Sequence, residues 1–461
     1  MVLFLGIAIV ISIFAVVDWK HTVLAWLPVS MLFNPCVCIR YAPPALTVVL
    51  AVNFVLLAVY FLKEMRKSKV RYPFMFRKSF VVYLISYFFS MLFSILPFTT
   101  AVTGTIQYFM NTFVVVFLFH KALETQKDIS YFVKTALIVF IPIVALGLFE
   151  AIFHDNPWLD LVFLSSPNAD FVEGKMYYIP PFLSLTGDLG MRYGMVRCYS
   201  FFMIHIAFGC ACVLYMYMFL YFQRQQLGRC DGIKSVYYSV VVFLCLIGII
   251  LCNSKTPFVG VFFFVMSVFP MKQLFSGKSF VLILGLIAIG TIALSYNEGL
   301  FDNFIALFNK DKMEEGGGST TDMRANQFAI AFDMFMNNPL FGNGINTLST
   351  LRKSNAEIYG AESSWMSISI QQGLLGLVAY LILYKEIYDH MVKSVGKRDT
   401  FFYLSGLILM ESVTGVMVFS VFAPTLVAIE RYSQLRKMKI VRLLQAGVNL
   451  TLHFSSRRKL Y

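Results

Sequence analysis

Long apolar runs, separated by short charged stretches, recur along the chain as far as about residue 430. The runs are about 17–24 residues long, the length that a helix needs to cross the roughly 30 Å hydrocarbon core of a bilayer. They lack the period-two alternation of membrane barrel strands. The pattern predicts an all-α membrane bundle of about twelve transmembrane helices. Ten of them lie near 1–17, 45–62, 79–97, 102–120, 131–153, 199–222, 236–252, 256–270, 280–296 and 362–384.

Two apolar segments do not fit a single span. Segment 21–34 is shorter than a crossing helix and is either re-entrant or a short span. Segment 401–430 is too long for one helix and is interrupted by the sequence ESVTG at 411–415. We predict a hairpin of two short helices there, followed by a basic amphipathic tail at 431–461 on the anionic inner leaflet.

Composition supports the membrane assignment. Hydrophobic residues make up 58% of the 461 residues and charged residues only 14%, whereas soluble domains carry about 25% charged residues. The net charge of +13 is explained by basic cytoplasmic loops, so we predict no nucleic-acid binding. The eight cysteines are scattered, without CxxC pairs. Because histidine clusters are also lacking, we predict no metal and no cofactor.

The distribution of basic residues sets the orientation. The loop 63–78 carries seven Lys/Arg and one Glu, which predicts a cytoplasmic location. Counting helices onward places two long polar loops, 154–198 and 297–361, on the outer face of one membrane domain spanning 1–461. Because binding and catalytic residues concentrate in loops on a rigid scaffold, we expect the functional site in these two loops.

Individual cations stand out in the outer loops. A guanidinium at the membrane edge binds phosphate bidentately and stays charged at biological pH. Its ordinary alternative is a salt-bridged or snorkelling side chain. Lys255 falls at an outer turn between two tightly joined helices and contacts either a phosphate or lipid headgroups. The candidate arginines are Arg192, Arg197, Arg324 and Arg352.

Three further residues carry titratable groups near the predicted outer face. Glu362 lies at the mouth of a helix and is either a first-turn cap or a general base. Glu411 interrupts the last apolar stretch; intramembrane carboxylates are functional suspects, although a turn residue is an equal alternative. His205 is predicted one or two turns inside its helix, where packing is the default role. The sequence contains no P-loop, dinucleotide-binding or catalytic-triad motif.

Four stretches, in order, resemble the bacterial O-antigen polymerase/ligase superfamily of membrane glycosyltransferases. They are RCYSFFMIHIAFG from Arg197, NSKTPFVGV around Lys255, NNPLFGNGINTL after Arg324, and ESSWMSISIQQGLLGLVAYL from Glu362. The resemblance is clearest from about 190 to 385. It implies a metal-independent enzyme with a GT-C-like architecture in the bacterial inner membrane, with its active site facing outward.

The resemblance also implies substrates and partners. Such polymerases join oligosaccharide repeat units carried on undecaprenyl diphosphate into O-antigen, capsule or exopolysaccharide, among membrane lipids and beside a flippase and a chain-length regulator. The family's ligases have a His-Asn pair where this chain has Glu362 and Ser363. This departure favours a polymerase over a ligase. A flippase or transporter is the alternative of another class, but no internal repeat is found.

The residues receive roles through the same resemblance. Arg197 and Arg324 would hold the diphosphate leaving group with support from Arg192 and Lys255, because a metal-free site needs fixed positive charge there. Glu362 would act as the general base for the attacking hydroxyl. The predicted substrate-binding residues are Tyr193, Trp365 and His205.

Overall fold

The structure is a computed structural model that describes residues 2–33, 37–40, 46–65, 73–164, 191–192, 195–202, 204–225, 235–268, 321–348, 363–413 and 421–439. Helices dominate these residues, so the predicted all-α class is confirmed there. Two short antiparallel strand pairs accompany them, β1 (Cys38–Arg40) with β2 (Leu46–Thr47) and β3 (Met191–Arg192) with β4 (Met195–Val196).

The helices follow the apolar runs of the sequence. In chain order they are α1 (Val2–Val17), α2 (Trp19–Ser30), α3 (Val48–Val59), α4 (Arg77–Leu92), α5 (Phe98–Phe109), α6 (Val115–Ala122), α7 (Gln126–Phe153), α8 (Pro157–Leu164), α9 (His205–Arg224), α10 (Ser235–Leu251), α11 (Lys255–Val268), α12 (Thr321–Asn337), α13 (Ser364–Val395), α14 (Lys397–Val413) and α15 (421–439). The π-helical segment Met110–Val114 joins α5 to α6. The predicted helix 280–296 lies outside the described residues.

Four helices in the described part are long and apolar enough to cross a membrane, namely Phe98–Ala122, Gln126–Phe153, His205–Arg224 and Ser364–Val395. Large apolar side chains such as Ile138, Ile152 and Phe262 lie exposed on the outside of the bundle. Lipid accommodates such a surface, whereas water does not. The bundle is therefore a multi-pass membrane domain, and the full count of about twelve helices stays a prediction.

Polar contacts define one end of the bundle, called here the Lys20 end. The Lys20 ammonium lies 2.8 Å from Asp128 Oδ2, where α7 begins. Lys63 donates to the carbonyl of Val16 at 3.2 Å, which places the end of α1 and the chain after α3 together. Asp128 also closes a capping box with Thr125. These contacts fix the alternating directions of the first helices.

Residues 21–30 of the short segment 21–34 belong to α2, which begins at the Lys20 end and packs along α7. Its twelve residues extend about 18 Å at 1.5 Å per residue. This is less than the roughly 30 Å of the hydrocarbon core. The helix is therefore short and internal to the bundle, with Trp26 buried and bonded to Asn53 at 2.9 Å.

The last apolar stretch is divided between two antiparallel helices, α14 and α15. α14 begins at Lys397, just after α13 ends. The far end of α15 returns to the same place, because Lys437 donates to the carbonyl of Lys393 at 2.8 Å and Arg436 to Gln225 Oε1 at 2.5 Å. This is the hairpin arrangement expected from the sequence. The remainder of the tail, 440–461, lies outside the described residues.

Candidate active site

The loop that carries Arg197, residues 195–202, is shaped by a buried carboxylate from the end of α7. Glu150 accepts the backbone N–H of Tyr199 at 2.9 Å and that of Ser200 at 2.8 Å. Asn156 donates to the same carboxylate at 3.1 Å and to the Ser200 carbonyl at 2.9 Å. Charge-assisted bonds of this kind are the stronger ones in proteins. Glu150 therefore fixes the backbone that follows Arg197.

The Arg197 loop is joined to the turn that precedes Lys255. The backbone N–H of Cys198 donates to the carbonyl of Leu251, the last residue of α10, at 3.1 Å. Three residues, 252–254, then lead to Lys255, the first residue of α11. Two of the predicted phosphate-binding cations thus lie on segments that are hydrogen-bonded neighbours. This end of the bundle is called the Arg197 end.

The thiols in these two segments are not reactive groups. Cys198 and Cys252 are both buried, and burial raises the pKa of each thiol well above its ordinary value. A thiol is nucleophilic only as the thiolate. Any chemistry at the Arg197 end therefore depends on its cations, carboxyls and hydroxyls.

His205 was predicted inside its helix, and this prediction is wrong. His205 is the first residue of α9, whereas the sequence placed the helix start near 199. The reason is Glu150, whose carboxylate holds residues 199 and 200 in a loop, with Ser200 at a φ of 55°. The His205 ring packs edge-on against Tyr199, with ring centroids 5.5 Å apart, so His205 lies beside the Arg197 loop.

The sequence PLFGNG at 339–344 pairs with the chain around Gly373 through backbone bonds. Leu374 N–H donates to the carbonyl of Pro339 at 2.7 Å, and Asn343 N–H donates to that of Ile370 at 2.8 Å. A Cβ on Gly373 would lie 2.6 Å from Gly342 N, and the Gly373 φ is +62°. Only glycine meets both conditions without strain. Two of the four motif stretches therefore form one structural unit.

Gly373 also reverses the direction of α13. Its backbone is non-helical, with φ 62° and ψ −155°. The rings of Trp365 and Tyr380 lie 4.7 Å apart, although a continuous helix would separate residues fifteen positions apart by about 22 Å. The chain therefore folds back into a first arm, 364–372, and a second arm, 374–395. The prediction of one straight helix over 362–384 is wrong in this respect.

The start of the first arm lies deep in the bundle. Trp365 stacks on Tyr384 with centroids 5.9 Å apart and donates its indole N–H to Ser412 Oγ at 3.1 Å. Ser363, which precedes the arm, is buried. The segment that follows Glu362 in sequence is thus enclosed by α13 and α14. Glu362 itself lies outside the described residues.

Glu411 lies beside these aromatic residues, within helix α14. Tyr384 donates its hydroxyl to Glu411 Oε2 at 2.6 Å, and Glu411 is 1% exposed. The alternative that Glu411 is a turn residue is excluded, because α14 continues to Val413. The carboxyl is therefore an intramembrane group held among tyrosines.

The other predicted site residues are located less fully. Arg324 belongs to α12, which packs against α13, and Arg192 belongs to β3. The side chains of both residues lie outside the described part of the structure, as does Tyr193. The structure therefore brings together the segments that carry Arg197, Lys255 and His205. That Arg324 lies close to them stays a prediction.

Sequence reasoning missed Glu150 and Tyr384. Glu150 is a single carboxylate in the last turn of an apolar run, and such a residue in a membrane helix marks a functional or positioning group. That signal was present in the sequence. Tyr384 carried no such signal, because tyrosines are common throughout this chain and nothing local distinguishes this one.

The fold defines a class of protein, a multi-pass helical membrane protein in which the segments that carry Arg197 and Lys255 adjoin at one end of the bundle. Residues 240–381 match the family model of O-antigen ligases. This match, over less than half of the chain, supports the superfamily that the motif stretches indicate. The match includes the Lys255 turn, α12 and the unit around Gly373. A search of curated proteins finds no match to the chain.

Proposed function

We propose that this protein is a membrane glycosyltransferase that polymerises undecaprenyl-diphosphate-linked oligosaccharide units into a surface polysaccharide. The observation that carries the proposal is the hydrogen bond from Cys198 to Leu251, because it places the Arg197 loop beside the Lys255 turn within a bundle that contains an O-antigen ligase domain. In this proposal the site faces the exterior of the inner membrane, and the bundle has about twelve helices and a GT-C-like architecture.

The proposed reaction needs fixed positive charge. The anomeric carbon of the donor loses its diphosphate, and the leaving oxygens gain negative charge in the transition state. Arg197 and Lys255 would stabilise these oxygens, with Arg324 and Arg192 completing the site. Removal of one preorganised donor of this kind typically costs about 3–4 kcal/mol of barrier. Glu150 supports the charge arrangement by fixing the backbone beside Arg197.

For the acceptor sugar, the proposed residues are those predicted from the sequence. A hydroxyl of one lipid-linked unit attacks the anomeric carbon of the growing chain, and Glu362 is the predicted base. Trp365 and Tyr193 are the predicted sugar contacts, with His205 beside the Arg197 loop. Trp365 has one ring face covered by Tyr384, so a sugar would contact its opposite face.

A ligase is the second candidate, and the description of the matched family favours it. A ligase transfers a finished glycan to a different acceptor. The replacement of the family's histidine by Glu362 in this chain favours polymerisation. The two activities share the donor chemistry, so the cationic site does not distinguish them.

The experiment that tests the proposal is glycan laddering on gels from a strain lacking this gene. The strain is complemented with wild type, Arg197→Ala, Arg324→Ala or the control Arg398→Ala, whose guanidinium bonds the Met266 carbonyl at the Lys20 end. We expect long chains with wild type and the control, and single repeat units with the other two variants.

Two results would change the proposal. Full-length lipid-linked polymer in the deletion strain would identify a ligase. A glycan pattern that deletion leaves unchanged would overturn the glycosyltransferase proposal, and a flippase or transporter would then become the leading function. Protein levels of each variant are measured by immunoblot, so that loss of activity is separated from loss of protein.

A further inference from the structure

Five carboxylates are buried in the described part of the chain, and four of them each have at least two polar partners. Asp128 accepts from Thr125 N–H and pairs with Lys20. Glu150 accepts two backbone amides and an asparagine amide. Glu386 accepts the backbone amides of Lys78 and Ser79, both at 2.9 Å. Glu430 contacts His390 Nδ1 at 2.5 Å and Gln434 Nε2 at 2.9 Å.

Glu411 differs from these four. Its Oε2 accepts the Tyr384 hydroxyl at 2.6 Å, but its Oε1 is fully buried and has no hydrogen-bond partner among the described residues. An unpaired buried carboxyl oxygen is costly in free energy. A protein retains such a group mainly where it has a functional use, above all inside a membrane domain.

The surroundings of Glu411 are aromatic and uncharged in the described part of the structure. Tyr83 from α4, Tyr108 from α5 and Cys210 from α9 are within electrostatic range of Glu411. Tyr384 from α13 bonds it, and the Tyr380 hydroxyl contacts that of Tyr384. The Tyr83 hydroxyl is also fully buried and has no hydrogen-bond partner among the described residues. Two unpaired polar groups from different helices therefore share one region.

This region is close to the Arg197 loop and the Lys255 turn on one side, and to the first arm of α13 on the other. Cys210 is in electrostatic range of Glu411, and the adjacent Gly209 packs so closely on Cys252 that a Cβ there would lie 2.5 Å from its sulfur. Cys252 directly follows Leu251, which binds the Arg197 loop. On the other side, Ser412 bonds Trp365 at the start of the first arm of α13.

We propose that Glu411 is the proton acceptor for the attacking sugar hydroxyl, with Tyr384 as its positioning residue. This inference rests on the proposed glycosyl transfer, and it assigns to Glu411 the role of base that the sequence suggested for Glu362. The hydroxyl oxygen bonds to the anomeric carbon as the bond from that carbon to the diphosphate oxygen breaks. The diphosphate leaves with the electron pair, and the hydroxyl proton passes to Glu411 Oε1.

The test measures glycosyl transfer by purified protein in detergent, with the lipid-linked repeat unit isolated from the deletion strain as substrate. General-base catalysis typically contributes 10²–10⁴-fold. We expect Glu411→Gln to lower kcat by at least about 100-fold while the KM for the repeat unit changes less than about threefold. Tyr384→Phe keeps the shape and loses the orienting hydrogen bond, so we expect a smaller fall in kcat.

The matched control is Glu386→Gln, a buried carboxyl two residues from Tyr384 in α13 that binds only backbone and hydroxyl groups in the described structure. It should lower the melting temperature and retain kcat. A Glu411→Gln protein with wild-type kcat would overturn the inference. Tyr384→Phe provides the same test if Glu411→Gln does not fold, since an unchanged kcat in Tyr384→Phe would also overturn it.

Parallel variants separate this inference from the proposed function. If Glu362→Gln abolishes transfer and Glu411→Gln does not, Glu362 is the base and the inference fails alone. If Arg197→Ala abolishes transfer but Glu411→Gln leaves it intact, the glycosyltransferase assignment stands and the inference again fails. If wild-type protein transfers no glycan, the proposed function fails and takes the inference with it.

Discussion

The carboxylate of Glu150 accepts the backbone N–H of Ser200 at 2.8 Å, across a separation of 50 residues in the chain. Through this bond the end of one membrane helix determines the shape of the loop that carries Arg197. The bond also explains why α9 begins at His205 rather than near 199.

Two substitutions of Glu150 should show how much this residue contributes to the stability of the protein and how much to the position of the Arg197 loop. Glu150→Leu leaves the amides of Tyr199 and Ser200 unpaired, and each buried unsatisfied group costs about 1–3 kcal/mol. Glu150→Gln keeps one acceptor oxygen, so its loss should be smaller. Thermal unfolding in detergent measures stability, and laddering in cells measures function. Equal melting temperatures for Glu150→Leu and wild type would contradict the assigned hydrogen bonds.

Gly373→Ala should destabilise the protein for two reasons. The backbone φ of +62° with ψ −155° lies in a region restricted almost entirely to glycine and costs an alanine about 1–3 kcal/mol, and the new Cβ would lie 2.6 Å from Gly342 N. Gly396→Ala is the control for backbone strain alone, since its φ is +99° and nothing lies within 4 Å. Gly6→Ala has neither feature.

The expected order of melting temperatures is therefore Gly6→Ala highest, Gly396→Ala intermediate and Gly373→Ala lowest. Melting temperatures for Gly373→Ala and Gly396→Ala that coincide would mean that the close approach to Gly342 has no energetic consequence.

Lys255 should contribute charge to binding of the donor diphosphate. Lys255→Ala is expected to raise the KM for the lipid-linked donor or to lower kcat, with a combined loss in kcat/KM of roughly 100-fold. Lys255→Arg keeps the charge and should retain more activity. Lys437→Ala is the control, because Lys437 bonds the Lys393 carbonyl at the Lys20 end. A wild-type kcat/KM for Lys255→Ala would remove this residue from the site.

The two ends of α7 should face opposite sides of the membrane. Lys127, the second residue of this helix, and Asp155, just after its last residue, are exposed. In a background without native cysteines, Asp155→Cys should react with a membrane-impermeant maleimide on intact spheroplasts. Lys127→Cys should react only after permeabilisation. Reaction of both residues from the same side would show that α7 does not cross the membrane.

Hydropathy predicted the helices well because the insertion of an apolar run into lipid depends on the composition of that run. It does not depend on which other helices the run packs against. The same rule could not predict the reversal at Gly373. A single glycine hardly changes the hydropathy of the apolar run that forms α13, and the reversal depends on bonds to Pro339 and Asn343, which are distant in sequence.

The sequence suggested the cations of the candidate site but not the residues that support them. Arg197 and Lys255 stand out because the predicted outer loops are not basic overall. The segments that carry them are joined by one backbone hydrogen bond, from Cys198 to Leu251. This bond involves no distinctive side chain, so the sequence gives no sign of it. Glu411 was recognised from its position in an apolar stretch, whereas its partner Tyr384 became evident only from the packing of α13 against α14.

The unit formed by 339–344 and the reversal at Gly373 is held largely by main-chain atoms. Every residue except proline can supply those same donors and acceptors. Side chains such as Leu340 and Ile370 can consequently be exchanged for others of similar volume while the connection persists. A membrane protein built this way can diversify the side chains around such a unit while its main-chain framework stays the same.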